Sequence, residues 1–136
     1  MAAVQLPDAL WDLIHFALLD WLARSDQIDW SRAVVDSCSI RAVYGGSQTG
    51  PNPTDRAKRG SKRHLIQDGR GVPLAVRLTG ANRNDSQEAL ALVDAFPPLQ
   101  GDRGRPRRRP DCLLGDRGYD AAPIQSTRRS SRSGAR

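Results

Sequence analysis

Residues 62–80 read KRHLIQDGRGVPLAVRLTG. The GRG at 69–71 separates two runs, KRHLIQD (62–68) and VPLAVRLTG (72–80). In the second, Leu74, Val76 and Leu78 alternate with Ala75, Arg77 and Thr79. Period-two alternation beside a glycine turn predicts a β-hairpin, and Pro73 puts the start of the second strand at an edge or entry position. A hairpin does not close a domain alone, so its neighbours decide the class.

Downstream, Asn84 and Asp85 precede SQEALALVDAF, where Asp85 and Glu88 have capping-box spacing and Leu90, Leu92, Val93 and Phe96 supply an apolar face. A helix is expected from Ser86 to Phe96, stopped by Pro97 and Pro98. After the arginine loop GDRGRPRRRP (101–110), CLLGD (112–116) reads as a short buried strand ending on Asp116. Asp120 then caps a brief helix with Pro123 in its first turn.

Upstream, RAVVD (32–36) reads as a buried strand whose last residue, Asp36, emerges at a sheet edge or end. Residues 45–61, with four glycines and two prolines, are expected to be one long irregular loop. From Leu6 to Ala23 the apolar residues Leu6, Leu10, Leu13, Ile14, Ala17, Leu18, Trp21 and Leu22 recur at helical spacing. Asp8, Asp12, His15, Asp20 and Arg24 fall opposite them, which predicts an amphipathic helix. Trp11, Trp21 and Trp30 are expected to pack in a core or on a partner helix rather than to stack on bases, since two of them lie in an acidic stretch. The order helix, strand, loop, hairpin, helix, strand is an α/β layout with a mixed sheet.

In that layout the strands ending at Asp36 and Asp116 are parallel neighbours joined over a helix, which brings both carboxylates to one end of the sheet. Two adjacent carboxylates repel, and a divalent cation relieves the conflict. Mg²⁺, or Mn²⁺ in its place, takes one or two carboxylates and keeps other positions for water and phosphate oxygens. Such ions promote phosphodiester cleavage or transfer. Taken singly, each aspartate also fits a local turn or helix cap.

At 136 residues with seven aromatics, the chain has room for one domain with a small core. Its charge of +6 is unevenly spread: residues 1–35 carry two basic and five acidic groups, 36–100 nine and six, and 101–136 ten and four. The basic end suits a polyanion such as DNA, or is a solvated tail. Cys38 and Cys112 show no CxxC spacing, so two reduced thiols are expected rather than a zinc site or a disulfide framework. No stretch has the length of a membrane span, and a soluble cytoplasmic protein is expected. From Ser126 the composition falls to residues that bury little, so a disordered basic tail is expected over 126–136.

WSRAVVDSCSIRAV (30–43), TGPNPTDRAKRGSKRHLIQDGRGVPLAVRLTGANRND (49–85), GDRGRPRRRPD (101–111) and LLGDRGYD (113–120), in this order and spacing, resemble the central region of bacterial insertion-sequence DDE transposases. The resemblance covers about residues 20 to 123. It implies an RNase H-like mixed sheet over 31–125, incomplete at its C-terminus, behind a helical segment at 1–30. It also implies metal-dependent cleavage and strand transfer at transposon ends, with Asp36 and Asp116 as the first and second catalytic acids and as Mg²⁺ ligands. Lys62, Arg63 and Arg117 would lie near the DNA path, and Arg103, Arg105, Arg107, Arg108 and Arg109 would hold phosphates; these basic assignments rest on charge, and solvated loops fit as well.

The family's third acid is a glutamate on a downstream helix, whereas this chain has one glutamate, Glu88, between the two aspartates. Asp120 is a poor substitute, because the family has an acid there as well as the glutamate. LPDALWDLI resembles the start of such transposases and HFALLDWLARSDQIDW a much later segment, which implies loss of the DNA-recognition region between them. The expectation is a truncated transposase with little or no activity. The alternative is a non-catalytic remnant that binds DNA through residues 101–136 or pairs with full-length transposase and inhibits it; a homo-oligomer or full-length transposase is the expected protein partner. A third possibility is a decayed reading frame without a stable fold.

Overall fold

The computed structural model describes residues 7–101, 104–116 and 119. The helix capped by Asp120 and the tail 126–136 expected from sequence lie outside the described residues, as do Arg103 and Arg117. The described residues fall into two compact units, one drawn from Met1–Ile28 and Pro97–Arg108, the other from Asp29–Phe96 and Arg109–Arg136.

In the first unit, helix α1 spans Asp8–Arg24. Asp20 and Arg24, four residues apart, form an ion pair at 2.8 Å, and the Ser25 hydroxyl donates to the Trp21 carbonyl as the helix ends. The buried stripe differs from the expected one. Leu19 and Ala23 are buried and His15 half-buried, whereas Leu10, Leu13, Ile14, Leu18 and Trp21 are exposed. The reason is compositional: Trp11, Phe16 and Leu19 make the helix apolar on nearly all sides, so hydrophobicity selects no single face. Trp11 and Trp21 are accordingly not core residues. Beyond α1, Leu99 and Arg107 exchange backbone hydrogen bonds at 3.0 and 2.9 Å, with Leu99 buried.

The second unit is a mixed sheet with a helix. Its strands are β1 (Ala33–Arg41), β2 (Gly50–Pro51), β3 (Arg59–Asp68), β4 (Pro73–Gly80) and β5 (Leu113–Leu114), and helix α2 spans Asp85–Ala95. The order runs β2-β3-β1-β5, and β4 also pairs with β3. All pairings are antiparallel except β1 with β5, which is parallel. The hairpin, the crossing helix and the parallel return strand therefore stand where the sequence pattern put them.

Three expectations change. The strand containing Asp36 runs on to Arg41, because Ser37 to Arg41 continue the ladder with β3 from His64 back to Gly60. Residues 45–61 are not all irregular: Gly50–Pro51 and Arg59–Ser61 are paired strand. The expected capping box is replaced by Asn84, whose side chain accepts from the Ser86 amide and hydroxyl, leaving Glu88 to turn inward and meet Arg77 at 3.1 Å. Asn84 wins because an Asx side chain reaches the amide two residues on with no partner of its own.

Helix α2 covers one face of β3 and β4. Ala89, Leu92 and Phe96 are buried, with Leu90 outside, over a floor of Ala33, Val35, Ile66 and Ala75. Trp30 meets Phe96 edge-on at 5.5 Å. The other face is open: Val76 and Leu78 are exposed, and Leu114 in CLLGD is 45% exposed rather than buried.

The turn between β3 and β4 is held by Asp68, whose carboxylate is 1% exposed. Its Oδ1 accepts from the amides of Arg70 and Val72, and its Oδ2 from that of Asp29. Gly71 supplies the left-handed conformation the turn needs, at φ +89°. Asp68→Ala leaves three backbone donors unsatisfied. The expected loss is about 3 kcal/mol of stability, measurable by urea unfolding, whereas Asp68→Asn, which keeps one acceptor oxygen, is expected to lose less.

Candidate functional site

Alternation along β1 sends Asp36 to the open face and Ser37 to the face covered by α2. Register extends each set across the sheet. Asp36 pairs with Leu65, which pairs with Val76, while Ser37 pairs with His64, which pairs with Arg77. Cys38, Arg63 and Leu78 share the face of Asp36 by the same register.

The second aspartate arrives through β5. Ala33 pairs with Leu113 and Val34 with Leu114 in parallel. Asp36 and Asp116 each lie two residues beyond the second of these pairs, at equal offsets past the end of the ladder. Both are exposed. The Asp36 Oδ1 accepts the Ser37 amide at 2.8 Å.

Two carboxylates at matched positions offer hard oxygen donors to a divalent cation, and Mg²⁺ is the ion that needs few of them. Among the described residues no group of three His, Cys, Asp or Glu side chains is placed to enclose a metal.

Behind the strand lies a polar cluster that sequence reasoning missed. The Ser37 hydroxyl donates to Asp85 Oδ1 at 3.0 Å, and Lys62 Nζ reaches the same oxygen at 3.1 Å and the Arg83 carbonyl at 2.9 Å. Asp85 is the first residue of α2, where a negative charge favours the helix dipole. Ser37 and Asp85 meet across 48 positions, a distance no local pattern bridges.

His64 is fully buried in this cluster. Its Nε2 is 2.8 Å from Thr79 Oγ1, and the Thr79 hydroxyl donates to the Gly80 carbonyl. Which of Nε2 and Oγ1 donates to the other is set by the imidazole tautomer. The Nδ1 atom faces Asp85 Oδ1 at 3.7 Å without a hydrogen bond. Burial holds the His64 pKa below its ordinary value, with Asp85 and Glu88 pulling upward and Lys62 and Arg77 downward.

Tyr119 is buried at the far end of the cluster, its hydroxyl lacking a well-aligned partner. Burial pushes the phenol above its usual range. The neighbouring Ser37 hydroxyl offsets part of this, and Asp85, Asp116 and Asp36 push it further up. Its signal in the sequence is only its place in LLGDRGYD.

The basic residues named from sequence are dispersed. Arg63 is exposed on the Asp36 face. Lys62 is engaged with Asp85 and only 14% exposed. Arg105, Arg107, Arg108 and Arg109 are exposed, and Arg109 stands 3.5 Å from Asp94. Glu88, bound to Arg77, lies on α2 against the covered face and is not brought to the aspartate pair.

The described residues form an α/β unit with a mixed sheet, and Asp36 and Asp116 each follow the β1–β5 pairs by two residues. The family model described as transposase DDE domain matches residues 30–132, and the chain belongs to that family. It is 55% identical over 90 residues to a Burkholderia cepacia protein named "Putative transposase for insertion sequence element IS402", an alignment covering 66% of this chain and 41% of that one. It is 54% identical over 44 residues to "Insertion element IS402 uncharacterized 16.2 kDa protein" of the same organism, covering 32% of this chain and 30% of that one. The chain spans less than half the length of the curated relatives it matches. No solved structure matches it. Among the described residues no helix is long and apolar enough to cross a membrane.

The cluster carries a pH dependence of definite sign. A buried histidine with a lowered pKa lets the unfolded chain take up the proton first. The contribution of His64 is therefore fully present above about pH 6.5 and is lost as pH falls below that toward the folded value. The melting temperature is expected to drop on acidification from pH 7 to 5, and His64→Gln is expected to flatten that drop. Circular dichroism melts across this range measure both.

Proposed function

We propose that Asp36 and Asp116 jointly hold a divalent cation, Mg²⁺ or Mn²⁺, in an RNase H-like transposase core. The observation that carries this reading is their matched placement beside the parallel β1–β5 pair. The antiparallel β3–β4 hairpin beside β1, the α2 crossover and the parallel return to β5 support the RNase H-like assignment. The ion's chemistry, when bound, is to draw charge from a phosphodiester oxygen and to make a water or terminal hydroxyl more acidic. This chain's own part is to hold the ion at the open sheet face, where DNA has access.

The third acid is not supplied by Glu88, which is paired with Arg77 against the covered face. Cleavage and strand transfer at transposon ends then require a carboxylate from outside this set, such as one from a longer transposase. On this reading Asp36 and Asp116 by themselves support little or no turnover. Direct titration with Mn²⁺, followed by electron paramagnetic resonance, tests the site. Wild type is expected to bind in the millimolar range or tighter. Asp36→Asn and Asp116→Asn are each expected to remove binding, and Asp55→Asn, altering a carboxylate paired with Arg41, to leave it intact. Equal affinity in the Asp36→Asn/Asp116→Asn double variant overturns the assignment.

DNA is the partner that the exposed arginines of each unit fit. Arg63 shares the face of Asp36, and Arg105, Arg107, Arg108 and Arg109 are exposed. Lys62 reaches a phosphate only by giving up Asp85. The engagement of Glu88 also favours a second reading, a non-catalytic DNA-binding or transposase-inhibiting protein. In either case duplex affinity is expected to fall steeply with salt. Replacing Arg105, Arg107, Arg108 and Arg109 by Ala is expected to flatten the slope of log affinity against log salt, by up to about one for each phosphate that an arginine no longer neutralises. Filter binding between roughly 50 and 200 mM salt, where such affinities change most, measures it. An affinity unchanged by the Asp36→Asn/Asp116→Asn variant identifies the non-catalytic reading.

A further inference from the structure

The ladder that brings Asp116 toward Asp36 is short. Among the described residues β5 pairs with β1 at two positions, and the Ala33 amide extends this by donating to the Cys112 carbonyl at 2.8 Å. Regular β1–β5 pairing thus stops before either aspartate. Another interaction must hold Gly115 and Asp116 against β1.

Tyr119 makes three connections there. Its amide donates to the Asp116 carbonyl at 3.0 Å. Its ring lies on the backbone of Gly115 so closely that a Cβ at 115 would stand 2.9 Å from Tyr119 Cβ and 3.0 Å from Cγ and Cδ2. Its hydroxyl is buried beside Ser37, whose own hydroxyl is donated to Asp85 at the start of α2. One side chain, 6% exposed, therefore links the end of β5 to the strand bearing Asp36 and to the helix behind it.

We propose that Tyr119 is the positioning residue of the aspartate pair: its ring, seated on Gly115, clamps Asp116 opposite Asp36. This rests on the assignment of the pair as ion ligands. The clamp resides in the ring. A buried hydroxyl without a well-aligned partner gains little for the fold, so phenylalanine should serve nearly as well. Glycine at 115 is the matching half of the device, because any side chain there displaces the ring.

The full chain is tested as Tyr119→Phe, Tyr119→Ala and Gly115→Ala, with two readouts. One is Mn²⁺ affinity; the other is hydrogen exchange at the Ala33 amide, which reports whether the 112–116 segment stays on β1. Tyr119→Ala and Gly115→Ala are expected to weaken Mn²⁺ binding about tenfold, the scale for losing an outer support of a metal site, and to speed Ala33 exchange. Tyr119→Phe is expected to stay within about twofold of wild type in both, the rescue that marks ring packing. If Tyr119→Ala does not melt cooperatively, Gly115→Ala, which keeps the tyrosine, decides. Unchanged Ala33 exchange in the deciding variant overturns the clamp, even if Mn²⁺ binding weakens. If the wild type binds no Mn²⁺, the ion-ligand assignment falls, and faster Ala33 exchange in Tyr119→Ala still upholds the clamp.

Discussion

A strand sends successive side chains to opposite faces, and β1 exploits this at Asp36 and Ser37. The first points to the open face and carries the candidate chemistry. The second points to the covered face and joins Asp85, His64 and Lys62 under α2. Because the two residues are adjacent on one backbone held by β3, whatever fixes Ser37 also fixes Asp36. The buried polar cluster thus acts as a foundation for a carboxylate it does not touch.

The same alternation sorts the remaining charges. Arg63 goes with Asp36, whereas Lys62 goes with Asp85 and spends its ammonium there. Neighbours in sequence with equal charge consequently have different prospects for meeting a phosphate. Glu88 is engaged in a similar way by Arg77 on the covered side.

Local pattern was sufficient for the parts of the fold that local forces determine. The 62–80 hairpin, the helix stopped by Pro97 and Pro98, and the parallel relation of RAVVD to CLLGD were all legible, because alternation, proline stops and crossover rules act over short distances or constrain topology directly. The position of Asp36 inside its strand was not: SCSIR has no strong apolar run, and it is extended because β3 offers it partners. Nor was the buried stripe of α1, since Trp11, Phe16 and Leu19 deny the helix a polar side. For the site, the two aspartates stood out through their strands and the family resemblance. Ser37, His64 and Asp85 converge from distant segments, and nothing within a short window announces that they meet.

The unequal support of the two aspartates has a mechanical consequence. Asp36 sits within a nine-residue strand, paired at Leu65 and flanked by ladder on both sides. Asp116 follows a strand of two residues. The two carboxylates thus stand on unlike footings: one is anchored by a long run of main-chain bonds, the other by a short run and the Tyr119 ring seated on Gly115.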